Sequence, residues 1–389
     1  MLNLRVIQAQ HGDCFLLEYG SRKDPKYTLV DGGPADVYQV HLKPVLQAIP
    51  RSHRSLQRII LSHVDDDHIN GVLDLLAELS LQQQRGRQPT VAVQELWHNT
   101  FSNIVEPELR GLKQERLDLY CGVRDLAPGL ASFDKGKPMP LDTDATPRSI
   151  DQGHDLTGEA GGLNLPINLG FRPGRLISVE KAPRPVPEFE GLNLYVVGPS
   201  NQNLERLQAE WNAWLAQKLQ AAPKDVERDL LQEEPAPKPD DSVFNLSSIM
   251  LLVEAGGKRI LLTGDGLGEH LVEGLEQAGM LQPGEAFHVD ILKLPHHGSV
   301  RNVSREFFWR VTADRYVISA NGKHDNPDLL TLKWLVDAAS KQGRAIEIVI
   351  TNWTRSICEL MRLRDPAEYG YRLVAMDPGD HSMLLKVAE

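Results

Sequence analysis

The chain has 389 residues, 41% of them hydrophobic, and a formal net charge of −11. This is an ordinary globular composition, long enough for one elaborated domain or two smaller ones around a large core. The acidic balance works against indiscriminate polyanion binding, no stretch approaches the roughly 18 apolar residues of a membrane span, and the first residues lack the basic-then-apolar layout of a secretion signal. The expectation is a cytoplasmic protein with no membrane association. Cys14, Cys121 and Cys358 are far apart and odd in number, which fits buried thiols better than a disulfide framework or a cysteine metal site.

Short β-type runs open the chain: "LNLRVIQ", "CFLLEY" and "YTLVDGG", the last closed by a turn at Gly32 and Gly33, and then "QRIILS". Val72, Leu75, Leu76 and Leu79 recur at helical spacing, so "SHVDDDHINGV" lies between a strand and an amphipathic helix, with Asp67 placed to cap it. Residues 100–190, with "FDKGKPMPLDTDATP" and "EKAPRPVPEF", read as an insertion with little regular structure. "LNLYVVGPS" restores a strand, and Leu204, Leu207, Trp211, Trp214 and Leu215 share one helical stripe as packing residues. Residues 221–241, including "QEEPAPKPDD", read as a solvated acidic, proline-rich loop or linker, and removal of 232–241 is expected to leave the fold intact. "SSIMLLVEA" and "KRILLTGD" form a hairpin through Gly256-Gly257. A helix from about Gly268, "HVDILKLPHHGS", "RYVISA", a helix near "DLLTLKWLVDAA" and "AIEIVI" follow. Strand clusters followed by helices in both halves indicate two sheets with helices packed outside.

His63, Asp65, Asp67 and His68 combine imidazoles and carboxylates at a spacing that lets one tight loop direct all four at one or two metal ions, and such donors suit zinc, manganese or iron. A solvated acidic loop is the plainer reading of three adjacent aspartates, but histidines on both sides weigh against it. Asp66 is the one expected to face solvent or to act only indirectly. Asp265 after "LLTG", and His296 and His297 after "LKLP", sit where strands end and side chains can enter a cleft. His98, in "ELWHNT", has a similar position at a strand end, but a packed or exposed role is the expected one.

In their order and spacing, "SHVDDDHINGV", "LLTGD" and "LPHHGS" resemble the metallo-β-lactamase fold hydrolases, and specifically the branch related to the nuclease domain of the competence protein ComEC. "QHGDCFLL", "TLVDGG", "VVGPS" and "NLSSIMLLVEAGGKRILLTGD" extend the resemblance over about residues 1–98 and 191–360, leaving the insertion unmatched. It implies a single α/β domain, a four-layer αββα sandwich with a dinuclear centre at one edge. His63 and Asp65 would hold one metal, Asp67 and His68 the other, and Asp265 would bridge them. His297 is the expected further ligand and His296 the expected phosphate contact or proton donor, although either histidine can fill either role. The family's usual third histidine falls near Asn245 and Ser247, which leaves one metal short of a ligand unless His296 or His297 swings in. His324, in "NGKHDNP", matches a late histidine that precedes a proline, with two residues intervening here; it is a last ligand, a transition-state donor or a plain surface histidine. Asp13 and Asp31 would orient ligating histidines.

Two metal ions acidify a bridging water and clamp an anionic substrate, so the implied reaction is hydrolysis, with Asp67, His296 and His324 as catalytic candidates. Asp65 replaces the commoner histidine and makes the site richer in oxygen, which favours manganese over zinc. A phosphodiester is the expected substrate, DNA or RNA first. A small cyclic or choline-type diester, a lactone or a thioester are alternatives, and so is a metal-stabilised regulatory module in which Asn245 marks a lapsed site. The insertion and the acidic linker could cover the cleft until a protein partner moves them.

Overall fold

The computed structural model describes residues 1–99, 145–171, 176–182, 185–186, 192–209, 239–240 and 242–388. Cys121, Trp211, Trp214, Leu215 and most of the expected insertion and linker lie outside the described residues.

Two seven-stranded sheets carry the fold. The first comprises β1 (Leu2–Ile7), β2 (Phe15–Gly20), β3 (Pro25–Val30), β4 (Ser55–Ile60), β5 (Ala92–Val93), β6 (Leu96–Trp97) and β14 (Ser382–Ala388), in the order β14-β1-β2-β3-β4, with β5 and β6 both beside β4. The second comprises β7 (Asn193–Gly198), β8 (Met250–Ala255), β9 (Lys258–Leu262), β10 (Phe287–Lys293), β11 (Val311–Ile318), β12 (Ile346–Ile350) and β13 (Tyr371–Ala375), in the order β13-β12-β11-β10-β9-β8-β7. Alternation along each strand sorts the apolar side chains into layers. Ile60, Phe15, Leu17, Ile260, Leu262, Ile291 and Val317 meet between the sheets. Ile59, Leu29 and Leu16 pack instead against Val72, Leu75, Leu76 and Leu79 of the helix Asp66–Gln84. Leu261, Leu292, Tyr316 and Ile348 pack against Leu271, Leu275, Leu332, Leu335, Ile357 and Leu360 of the helices Gly268–Gln277, Leu329–Lys341 and Arg355–Leu363. The result is the expected αββα sandwich, and the clean division of apolar faces is what makes it four layers thick.

Gly256 and Gly257 do join β8 to β9 as a two-residue turn, both with positive φ (57° and 74°), the geometry that fits a twisted hairpin. Other expectations need correction. Asp65, not Asp67, stands at the N-cap of the helix Asp66–Gln84, and no side chain caps it. Asp66 and Asp67 lie in its first turn, where their charges suit the positive end of the helix dipole. Cys14 is buried as expected, but Cys358 is exposed. Within the expected insertion, Ala145–Gly162 is an 18-residue helix. Leu156 and Ala160 join the core beside the helix Asp66–Gln84, and Gln152 and Glu159 bond to Asp66 and Ser80 on it. Asp240, assigned to the solvated linker, is buried, so the removable segment does not extend to it.

Candidate metal centre

The polar residues singled out in the sequence mostly gather at one edge of the sandwich. His63 follows β4, Asp31 follows β3, Asp265 follows β9, and His296 and His297 follow β10; β3 and β4 run parallel, as do β9, β10 and β11, so these strands end together. Open α/β sheets place ligands at this carboxyl edge. Two close backbone approaches assemble it. A Cβ on Gly12 would lie 1.9 Å from the Asp67 carbonyl oxygen, and one on Gly71 would lie 1.9 Å from the Gly32 carbonyl oxygen, so only glycine lets the loops before β2 and after β3 press against the first turns of the helix Asp66–Gln84. His296 (φ 45°) and His297 (φ 57°) are consecutive residues in the left-handed region, a strain of the kind that concentrates at functional sites.

Counting hydrogens on the rings shows what this edge presents. His68 Nδ1 lies 3.0 Å from Asp31 Oδ2, and His297 Nδ1 lies 2.8 Å from the Ser319 carbonyl oxygen. His63 Nδ1 lies 3.0 Å from Ser62 Oγ, whose own hydrogen goes to Asp31 Oδ2 at 2.7 Å, leaving the hydroxyl to accept. His296 Nδ1 lies 2.8 Å from Asn302 Oδ1 and 3.2 Å from Asp240 Oδ2. Every Nδ1 faces an acceptor, so every neutral ring carries its hydrogen there and leaves Nε2 as a bare lone pair. The Nε2 atoms of His63, His68 and His297 are buried with no hydrogen-bond partner among the described residues.

Those lone pairs converge on one carboxylate. Asp265 Oδ1 is 3.4 Å from His68 Nε2, and Asp265 Oδ2 is 3.4 Å from His297 Nε2, 3.5 Å from His296 Nε2 and 4.0 Å from His63 Nε2. Asp67 Oδ2 stands 3.3 Å from His297 Nε2, and Asp65 Oδ2 stands 3.7 Å from His63 Nε2. Donors about 2.1 Å from a shared ion sit about 3.3 Å from one another, so this spacing is that of a coordination shell. Asp67, His68, Asp265 and His297 form one such group, and the nitrogen and oxygen donor set fits a divalent cation.

The charges agree with that geometry. Burial pulls the His68 and His297 imidazoles down, but Asp265, joined by Asp67 and Asp31 for His68 and by Asp13 for His297, outweighs it and pushes both well above their ordinary value. Burial would raise Asp265, but His297, His296, His68 and Lys293 hold it well below the usual carboxylate range. Protons and a metal ion compete for the same lone pairs, so cation binding releases protons.

Lys293, which sequence reading missed, is fully buried: its ammonium pairs with Asp13, donates to the Gly264 carbonyl oxygen at 2.8 Å and lies 3.4 Å from Asp265 Oδ1. Asp13 stands 3.4 Å from His297 Nδ1, beside the ring it was expected to orient. Asp66 lies outside the cluster and accepts from Gln152 at 2.5 Å. Asn245 is buried and donates to Asp240 Oδ2 at 2.7 Å, with its own Oδ1 unpartnered, and Ser247 bonds to the Phe244 carbonyl oxygen. His324 stands outside the donor cluster. It is exposed on a tight turn, next to Lys323, whose ammonium reaches His11 Nε2 at 2.9 Å.

His98 is fully buried at the end of β6, and neither ring nitrogen has a partner among the described residues. Burial lowers its pKa to about 3. Because the unfolded ring gains a proton below its ordinary value of 6.5 and the folded ring does not, its contribution to stability is intact above about pH 6.5 and falls by up to about 1.4 kcal/mol per pH unit towards pH 3. His98→Leu is therefore expected to raise stability, by an amount that grows from pH 7.5 to pH 5 in urea titrations; an advantage that shrinks on acidification would show that the ring is satisfied.

No family profile matches the chain. Over 117 residues it is 32% identical to ComE operon protein 3 of Bacillus subtilis (strain 168), a match that takes in 29% of this chain and 14% of that protein. A crystal structure of a new diphosphatase from the PhnP family aligns over 96% of this chain and 83% of its own, at 13% identity and a TM-score of 0.36, a likeness too low to bear on chemistry. Among the described residues no helix is long and apolar enough to cross a membrane.

Proposed function

We propose that the chain is a metal-dependent phosphodiester hydrolase of the ComEC-like branch, in which His63 and Asp65 hold one divalent cation, Asp67, His68 and His297 hold another, and Asp265 lies between them. The observation that carries this reading is the convergence of four bare imidazole nitrogens on one buried carboxylate. The partial similarity to ComE operon protein 3 supports the branch. Bound divalent cations supply Lewis acidity and an acidified water. The chain's own residues do the rest: Asp31, Ser62 and Asp13 orient the rings, while Lys323 and His324, exposed beside His11, meet the incoming phosphate.

Within phosphodiesters, a small diester is favoured over a polynucleotide. A cavity of about 420 Å³ is lined by Gln8, Gln10, His41, Asn352, Trp353, Asp377 and Asp380 among others and, among the described residues, by no lysine or arginine. Residues 8–13 connect it along the chain to Asp13, and its carboxylates disfavour a second phosphate there.

Stripped by chelator and reloaded with one metal at a time, the full chain is expected to bind two divalent cations and to cleave bis-p-nitrophenyl phosphate, with manganese at least as effective as zinc. Single- and double-stranded DNA and RNA are tested in parallel. Absence of cleavage with any metal would overturn the phosphodiester assignment and leave carboxyl-ester chemistry or a binding module.

A further inference from the structure

We propose that the cavity beyond the ends of β12 and β13 seats the end of the substrate that does not react and selects a cationic one, so that the small diester is a phosphodiester of an ammonium-bearing alcohol. The inference rests on the hydrolase reading above and adds to it the chemistry of the substrate.

The strands place this cavity next to the centre. β10, β11, β12 and β13 run parallel and end in step, with Lys293 opposite Val317, Ile318 opposite Ile350 and Ile350 opposite Ala375. The loop after β10 carries His297, the loop after β12 carries Asn352 and Trp353, and the loop after β13 carries Asp377 and Asp380. Hydrogen bonds tie them together through the loop after β11: His297 Nδ1 lies 2.8 Å from the Ser319 carbonyl oxygen, and Asn352 Nδ2 donates to the next one, that of Ala320, at 2.9 Å. Neighbouring strands stand about 4.8 Å apart, so the loops after β10 and β12 start about 10 Å from one another, within reach of one small extended substrate.

The amides of the cavity have nothing left to offer a ligand. Gln8 Nε2 donates to Asn352 Oδ1 at 3.0 Å and to the Thr351 carbonyl oxygen at 3.2 Å, and Asn352 Nδ2 returns a bond to Gln8 Oε1 at 3.2 Å. Gln10, in the left-handed region (φ 59°), gives its backbone N–H to the same Gln8 oxygen at 3.1 Å. Both side-chain amides are thus committed to the protein, which leaves no donor for a phosphate oxygen and no pair of groups to read a nucleobase edge. What remains is a ring face and negative charge. Trp353 keeps 52% of its surface in solvent, Asp377 and Asp380 stand beside it in the same cavity, and no lysine or arginine among the described residues lines it. Burial and the neighbouring His381 hold the His41 imidazole below its ordinary value, so at neutral pH it brings no cation either. An ammonium group pairs with the carboxylates and rests on the indole face, whereas a neutral base satisfies only the ring.

The test keeps the leaving group constant and changes the other end. The manganese-loaded full chain is assayed on p-nitrophenyl phosphorylcholine, methyl p-nitrophenyl phosphate and thymidine 5′-(p-nitrophenyl phosphate). The choline ester is expected to exceed the methyl ester about tenfold or more in kcat/KM, carried by a lower KM, and that ratio should fall towards one in Trp353→Ala and in the double variant Asp377→Asn with Asp380→Asn, with Trp353→Phe keeping part of it. These side chains are exposed, so the variants should fold. A wild-type ratio of one or less, a preference for the thymidine ester, or variants that keep the wild-type ratio would each overturn the inference and leave the hydrolase reading in place. No cleavage of any of the three esters would overturn both.

Discussion

Replacing Asp265 with asparagine is expected to reduce hydrolysis about 10³-fold or more and to strip cations from the centre while leaving a folded protein. Among the described residues its carboxylate is the one acidic group within 4.0 Å of the Nε2 atoms of His63, His68, His296 and His297, so removing its charge removes the partner all four share. Folding should survive because Asp265 lies on a loop at the sandwich edge, outside the three apolar layers. Metal content, rate on bis-p-nitrophenyl phosphate and circular dichroism, measured on the same preparation, separate loss of the centre from loss of the fold. A variant that keeps two cations and a rate within tenfold of wild type would remove Asp265 from the centre.

Lys293→Met should act on stability instead. The ammonium is fully buried against Asp13 and 3.4 Å from Asp265, and burial, which would lower its pKa, is outweighed by Asp13 and Asp265, which raise it. Methionine fills similar volume but leaves the buried Asp13 carboxylate without its ammonium partner, a loss of about 3–5 kcal/mol. Adding Asp13→Asn should recover a large part of that loss, because the two residues act as a pair. Urea titrations of the single and double variants supply the cycle. A single-variant loss below about 1 kcal/mol would mean that water reaches Asp13.

The strands and the convergence of the site were legible because both rest on local pattern: apolar alternation marks β4, β9 and β10, and the histidines and aspartates sit just past their ends. The buried polar residues around it were not. Lys293 ends a strand that also carries His288 and Asp290, so its polarity does not stand out, Asn302 looks like any turn residue, and Asp240 ends a proline-rich acidic run that composition reads as solvated. Only tertiary contact reveals that each buries its polar atoms. The helix Ala145–Gly162 was missed for a related reason. It contains Gly153, Gly158, Gly161 and Gly162, whose weak helix propensity is overridden by packing of Leu156 and Ala160 on a neighbouring helix. Strands β13 and β14 are edge strands at the end of the chain, half exposed and too mixed in polarity to announce themselves.

The hydroxyl of Ser62 has a further implication for how substitutions combine. Its single hydrogen is committed to Asp31, and its oxygen lies 3.0 Å from His63 Nδ1 and 3.3 Å from His68 Nδ1, while Asp31 also holds His68 at 3.0 Å. The two rings therefore share one small network through Ser62 and Asp31. Substitutions at His63 and His68 should show epistasis that weakens in a Ser62→Ala background, and a lineage that lost Ser62 would have released His63 while Asp31 still held His68.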